Sequence, residues 1–100
     1  MSKIIYKYPL SITDRQTISL PVHSQILKVS EQDEVLMLWA IVDTENEFEE
    51  EIIIEINGTG NELIQLESNE LRHHIDTVVT SYGMVWHVFS IFQCIMKIRQ

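Results

Sequence analysis

One hundred residues, 45% of them hydrophobic, make a folding chain with room for one modest core, not a disordered one. A formal net charge of -8 opposes binding to nucleic-acid backbone or to an anionic membrane as a main activity, because both need a cationic footprint. The longest apolar run, Val35 to Val42, is far short of the roughly 20 residues a bilayer span needs.

The first ten residues, "MSKIIYKYPL", hold no long apolar segment and no small-residue cleavage site, so no signal peptide is expected. The single cysteine, Cys94, has no internal disulfide partner, which fits a reducing, cytoplasmic setting.

Along the chain, alternation of apolar and polar residues is nearly everywhere and helical periodicity nearly nowhere. "KIIYKYPL" reads as a first strand stopped by Pro9. Turn chemistry at Thr13 and Asp14 precedes a second strand that ends at Pro21. "SQILKVS" is a third, with Ile26 and Lys28 on one face and Leu27 and Val29 on the other.

"EVLMLWAIVD" is apolar on both faces: Val35, Met37, Trp39 and Ile41 on one, Leu36, Leu38, Ala40 and Val42 on the other. Such a strand is central in its sheet or lies at an interface. "EEEIIIEINGTG" is a fifth strand, with Ile52, Ile54 and Ile56 on one face and Glu51, Ile53 and Glu55 on the other, until Gly58 and Gly60 break it.

Residues 61–74 suit either a short helix near 61–72 or a structured loop. "IDTVVTSYGMVWHVFSIF" reads as two strands around a turn at Ser81 to Gly83. The last residues keep apolar Cys94, Ile95, Met96 and Ile98, unusual for a free tail and suggestive of docking on the body or on a second subunit. The expectation is a single, mainly all-β domain over residues 1–100, a small antiparallel sandwich or barrel of six to seven short strands with an apolar tail at 93–100.

The candidate binding residues are Gly58, Thr59, Gly60, Arg72, His73, His74, Tyr82 and His87. "NGTG" leaves a strand and exposes backbone N–H groups able to cradle phosphate, but no Walker lysine and no Rossmann spacing accompany it. A tight turn or bulge is the plainer reading. Arg72, His73 and His74 form a small basic cluster that either holds an anion or balances Glu62, Glu67 and Glu70.

Trp86, with Met84 and Val88, and His87, with Val85 and Phe89, point to opposite strand faces. Trp86 is read as core, and His87 as a hydrogen-bonded strand histidine or a ligand contact, since imidazole titrates near neutral pH. Adjacent histidines diverge on a strand, and neither a cysteine pair nor an HExxH spacing is present, so no metal and no cofactor are expected. Cys94 lacks a neighbouring base, Asp76 is one lone carboxylate among many, and no nucleophile elbow occurs, so an enzyme is not expected.

"DTENEFEEE", residues 43–51, carries six acids in nine positions: Asp43, Glu45, Glu47, Glu49, Glu50 and Glu51. A solvated hairpin tip that protects the sheet from aggregation is one reading. The other is phosphate mimicry: if the segment is extended, alternate residues repeat at roughly 7 Å, close to the phosphate spacing of a nucleic-acid strand.

The phrases "IYKYPLSITDRQTISLP", "ILKVSEQDEVLMLWAIVD", "GTG" and "TVVTSYGMVWHVF", in this order from about Ile5 to Phe89, resemble a family of small tailed-phage and prophage proteins catalogued as a domain of unknown function. "YKYPL", "LWA" and "VWHVF" are the most specific parts. The acids around Glu45 to Glu51, the length of 61–72 and the tail after Phe92 depart from the pattern. The resemblance implies a viral origin and an accessory role in the cytoplasm of an infected bacterial cell; it carries no catalytic residues.

With it, the leading expectation is a non-catalytic, homo-oligomeric binding protein that counteracts host antiviral defence by sequestering a nucleotide-like signal. The alternatives are an acidic inhibitor that presents residues 43–51 to a host defence protein, and a virion-assembly component. Scattered aromatics able to stack a base (Tyr6, Tyr8, Trp39, Tyr82, Trp86) favour the first.

Overall fold

The computed structural model describes residues 2–93. Seven strands follow one another in the chain: β1 (Lys3–Leu10), β2 (Arg15–Pro21), β3 (Gln25–Gln32), β4 (Val35–Asp43), β5 (Glu49–Gly58), β6 (Glu70–Val79) and β7 (Val85–Gln93). They form two antiparallel sheets, sheet A in the order β1-β4-β3 and sheet B in the order β2-β5-β7-β6. The result is the small all-β sandwich expected from the alternation. Residues 61–69 are a loop rather than a helix, and β6 begins at Glu70, so "LRHH" is strand.

The two-sided strand β4 is central in sheet A. Its even residues, Leu36, Leu38, Ala40 and Val42, are buried against Ile54, Ile56, Val78 and Val88 of sheet B, and Leu10 and Val29 complete the cluster. Burying a Leu or Ile side chain in such a core contributes about 1.5–3 kcal/mol, so this layer is what holds the sheets together. The odd residues Met37, Trp39 and Ile41 lie on the outer face of sheet A, half-covered by β1 and β3.

Two bulges reset the side-chain alternation. In β3 the register slips between Ile26 and Lys28. Leu27 is therefore the extra residue, 44% exposed, while Ile26 joins Val29 on the core side. This corrects the expected faces: without the bulge, Ile26 and Val29 would diverge. In β6 the slip between His74 and Asp76 leaves Ile75 extra, so that His74 and Thr77 share the outer face of sheet B.

Pro9 does not stop β1, which runs on to Leu10. Ser2 and Thr44 continue the β1–β4 register, and the Thr44 N–H donates to the Ser2 carbonyl. Opposed residues alternate between bonded and non-bonded pairs, so even positions of β1 face β4 and Pro9 faces the free edge. Val22 donates to the Phe48 carbonyl in the same way beside β2. Pro21 therefore also faces a free edge. Both prolines of the chain stand where no ladder donor is needed.

The acids at 43–51 do not cap a hairpin, because β4 and β5 belong to different sheets. They line the crossover between the sheets, and the chain turns at Thr44 and Glu45. The Asn46 N–H closes this turn on the Asp43 carbonyl, and the Glu45 N–H donates to Asp43 Oδ1. Asp43, Glu45, Glu47 and Glu49 are thus not one extended row, and the phosphate-like spacing is absent. Cys94, Ile95, Met96 and Ile98 lie outside the described residues.

Candidate functional site

The outer face of sheet B gathers most of the chain's chemistry. Its rows follow from the register: Asn57, His87 and Thr77 in one, Glu55, Phe89 and His74 in the next, Ile53, Ile91 and Arg72 in the third. The loop 61–69 is tied to this face by the Asn57 amide, which donates to the Glu62 carbonyl at 3.1 Å, and by Arg72, which donates to the Ile64 carbonyl at 2.7 Å.

Glu55 is 0% exposed, although alternation alone leaves it on a wet face. It is neutralised by Arg72, whose Nε and Nη2 donate to Oε1 and Oε2 at 2.5 and 3.1 Å. The guanidinium also sits over the Phe89 ring, 5.7 Å from its centroid. The Glu55 carboxylate holds the Arg72 guanidinium above its ordinary pKa, against the opposing effect of burial. Arg15 of β2 pairs with Glu70 at 3.1 Å. The Glu67 N–H and Arg15 hold the Glu70 carboxyl below its usual range. Arg72 is consequently committed to Glu55 and its own loop, and is not free to hold an anion.

Four side chains form a continuous hydrogen-bonded line across the strands. Thr59 Oγ1 meets His87 Nε2 at 2.7 Å, His87 Nδ1 meets Thr77 Oγ1 at 3.0 Å, and Thr77 Oγ1 meets His74 Nε2 at 2.9 Å. A hydroxyl has one hydrogen and two lone pairs. Thr77 can donate to only one of the two imidazole nitrogens, so at least one of them must carry its own hydrogen, which couples the hydrogen positions of the two rings. The His74 ring also meets Phe89 edge-on at 5.4 Å.

An open pocket of about 250 Å³ adjoins this line. Asn57, Gly58, Thr59, Gly60, Asn61, Leu63, His87 and Phe89 surround it. Glycine is favoured at its rim by the backbone of Gly60, which has φ +87°, whereas a Cβ at Gly58 would stand 2.9 Å from the movable Asn61 amide. A Cβ at Gly60 would meet no atom within 4 Å, so the backbone there is open to approach.

Of the residues singled out in the sequence, Gly58, Thr59, Gly60 and His87 therefore come together, and His74 joins them through Thr77. His73 shares a face with neither His74 nor Arg72 and is exposed. Tyr82 lies in the β6–β7 turn, where its hydroxyl accepts from Trp86 Nε1 at 3.3 Å. Trp86 is half-buried and packs against the core cluster. Asp76 works between the sheets, accepting from the Val29 N–H at 3.1 Å and pairing with Lys28 at 3.5 Å.

Asn57, Asn61, Leu63, Thr77 and Phe89 are the additions. Of these, only Phe89 was legible, through its shared face with His87. Among the described residues no group of three or more His, Cys, Asp or Glu side chains could hold a metal ion, and no helix is long and apolar enough to cross a membrane.

No curated protein and no solved structure matches the chain. The model of a domain of unknown function, DUF7352, matches residues 1–93. With nearly its whole length covered, the chain belongs to the DUF7352 family.

Proposed function

We propose that this protein is a non-catalytic binding module that takes a small, planar, nucleobase-like group at the Gly58–Gly60 turn. The observation that carries the reading is the meeting of Thr59, His87 and Phe89 in one open pocket. Ligand sites join an apolar or aromatic wall to a few placed polar groups. Here Phe89 and Leu63 supply the wall, and the Thr59 hydroxyl and the amides of Asn57 and Asn61 supply the polar groups. Both ring nitrogens of His87 are engaged by threonine hydroxyls, so its imidazole holds Thr59 in place and offers the ligand its ring face, a structural role rather than that of a catalytic base.

In this reading Arg72 makes no contact with the ligand. With Arg72 held by Glu55, the base rather than the phosphate is the recognised part, and phosphate contacts fall to the backbone of residues 58–60. Together with the phage resemblance, this supports sequestration of a nucleotide-like defence signal in the cytoplasm of an infected bacterial cell as the biological role.

Calorimetry against nucleosides and linear and cyclic nucleotides tests the reading. Micromolar binding is expected, weakened at least about tenfold, or about 1.4 kcal/mol, by Leu63→Arg, which blocks the pocket from its exposed loop. Silence across the panel, or binding indifferent to Leu63→Arg, overturns it.

A further inference from the structure

Of the five lysines and arginines among the described residues, Arg15 and Arg72 are taken up by Glu70 and Glu55. The remaining three, Lys3, Lys7 and Lys28, are exposed on the outer face of sheet A; Lys7 donates to Gln32 Oε1 at 2.6 Å and Lys28 reaches Asp76 at 3.5 Å. The register places them there: Lys3 opposes Asp43, and Lys7 and Lys28 flank Trp39 from the two sides. Between them runs the apolar row Val35, Met37, Trp39 and Ile41, joined by Ile5, which is 61% exposed.

The Trp39 ring is fixed by its Nε1–H, which donates to Ser30 Oγ at 3.0 Å. Lys7 Nζ stands 5.7 Å from the ring centroid. On a chain of net charge -8, this face carries three lysines against one carboxylate, Asp43 opposite Lys3, and is locally cationic over an aromatic floor.

The same chain carries its complement. Phe48 is 73% exposed and is surrounded in sequence by the exposed acids Glu47, Glu49, Glu50 and Glu51. Its backbone is held on both sides: its N–H donates to Asn46 Oδ1 at 3.0 Å, and its carbonyl accepts from Val22 at 2.9 Å. Asn46 is itself anchored, its amide donating to the Val22 carbonyl at 2.9 Å. An aromatic presented on a fixed backbone loses little freedom on docking. Among the described residues Phe48 fills no site.

We infer that the outer face of sheet A is the docking surface for the Phe48 segment of a second copy of this chain. Phe48 packs against the Trp39–Ile41 row while the flanking glutamates meet Lys3, Lys7 and Lys28. Charge decides between the ways two copies can meet. Face against face sets lysines against lysines, and segment against segment sets acids against acids; only face against segment is complementary. Strand addition at the edges of β1 and β2 is disfavoured by Pro9 and Pro21, whose missing N–H groups lie on those edges. A nucleic-acid strand on the lysines would meet the repulsion of the whole chain, and Lys7 already occupies one side of the Trp39 ring. Each copy holds one plug and one socket, so the contact closes reciprocally in a dimer or repeats around a ring.

This surface is independent of the ligand pocket on sheet B. The test is native mass spectrometry and sedimentation of the full chain, alone and as two variants, Phe48→Ser and the double change Lys3→Gln, Lys7→Glu, which leaves the Lys28–Asp76 pair intact. Expected are self-association of the parent chain that weakens with salt, monomers for each variant with an unchanged thermal midpoint, and a one-to-one heterodimer when the two variants are mixed. The mixture keeps one intact plug and one intact socket, so the heterodimer separates lost contact from lost fold. A parent chain that stays monomeric, variants that assemble like the parent, a mixture without heterodimer, or lysine-dependent retention of a single-stranded oligonucleotide each overturns the inference.

Discussion

Arg72 and Glu55 stand on strands that do not pair, since β7 runs between β6 and β5, yet their side chains meet in a two-pronged ion pair across Phe89. Buried pairs of this kind repay the cost of dehydrating two charges only when both partners are present. Arg72→Met should therefore lower stability in urea denaturation by about 3–5 kcal/mol, because Glu55 is left charged in a dry site. The double variant Arg72→Met, Glu55→Leu should recover most of that loss. A double variant as unstable as the single one would show that the loop contact to Ile64 matters more than the charge.

Glu70 makes part of the stability depend on acid. Its folded pKa lies below the ordinary value of 4.5, held down by the Glu67 N–H and by Arg15. A carboxyl of this kind binds protons more readily when unfolded. The stability it contributes is therefore full above the ordinary value and fades as pH falls through the lower folded value. Thermal midpoints of the parent chain and of Glu70→Gln, measured against pH, should differ at neutrality and converge in strong acid. A gap that is constant with pH would contradict the assignment.

Thr77 couples two imidazoles through one hydroxyl. Replacing it with valine removes the shared hydrogen-bonding atom with little change of shape. In nitrogen-detected NMR at one neutral pH, Thr77→Val should move the ring-nitrogen signals of both His74 and His87. A change at neither ring, or at one alone, would break the proposed line at its centre.

Pro21 leaves one donor missing on the free edge of β2. Pro21→Val restores that donor on a strand with no neighbour on this side. Light scattering during concentration should show earlier aggregation of the variant, with a thermal midpoint close to that of the parent. Equal solubility would mean that this edge is protected by something other than the proline.

The core offers a graded test. Leu38 is fully buried while Trp86 is only half-buried. Leu38→Ala should cost about 2–5 kcal/mol, and Trp86→Ala less than the 3–5 kcal/mol typical of a fully buried ring. Chemical denaturation of both variants measures the order directly; a larger loss at Trp86 would place that ring deeper than its exposure indicates.

The candidate site was legible in fragments. Gly58 and Gly60 announced a turn, and His87 was expected to sit beside Phe89 by alternation. The link from His87 to His74 was not readable, because it needs Ile75 to be a bulge residue, and a bulge leaves no mark in an apolar-polar pattern. Arg72 was expected to hold an anion or to balance Glu62, Glu67 and Glu70, because nothing local reveals Glu55, seventeen residues earlier, as its partner.

The sequence by itself determined the strands and the inner layer. Alternation is a local property, and burying one face of each strand is the dominant favourable term, so Ile52, Ile54 and Ile56 could be given one face, and β4, apolar on both, a central or interface position, before any pairing was known. Only the tertiary structure decided which strands share a sheet, that the acids at 43–51 cross between sheets, and that Glu55 is buried beneath a loop. Those outcomes depend on contacts between residues far apart in the chain, where register, bulges and charge pairing choose among arrangements that the local pattern leaves equally favourable.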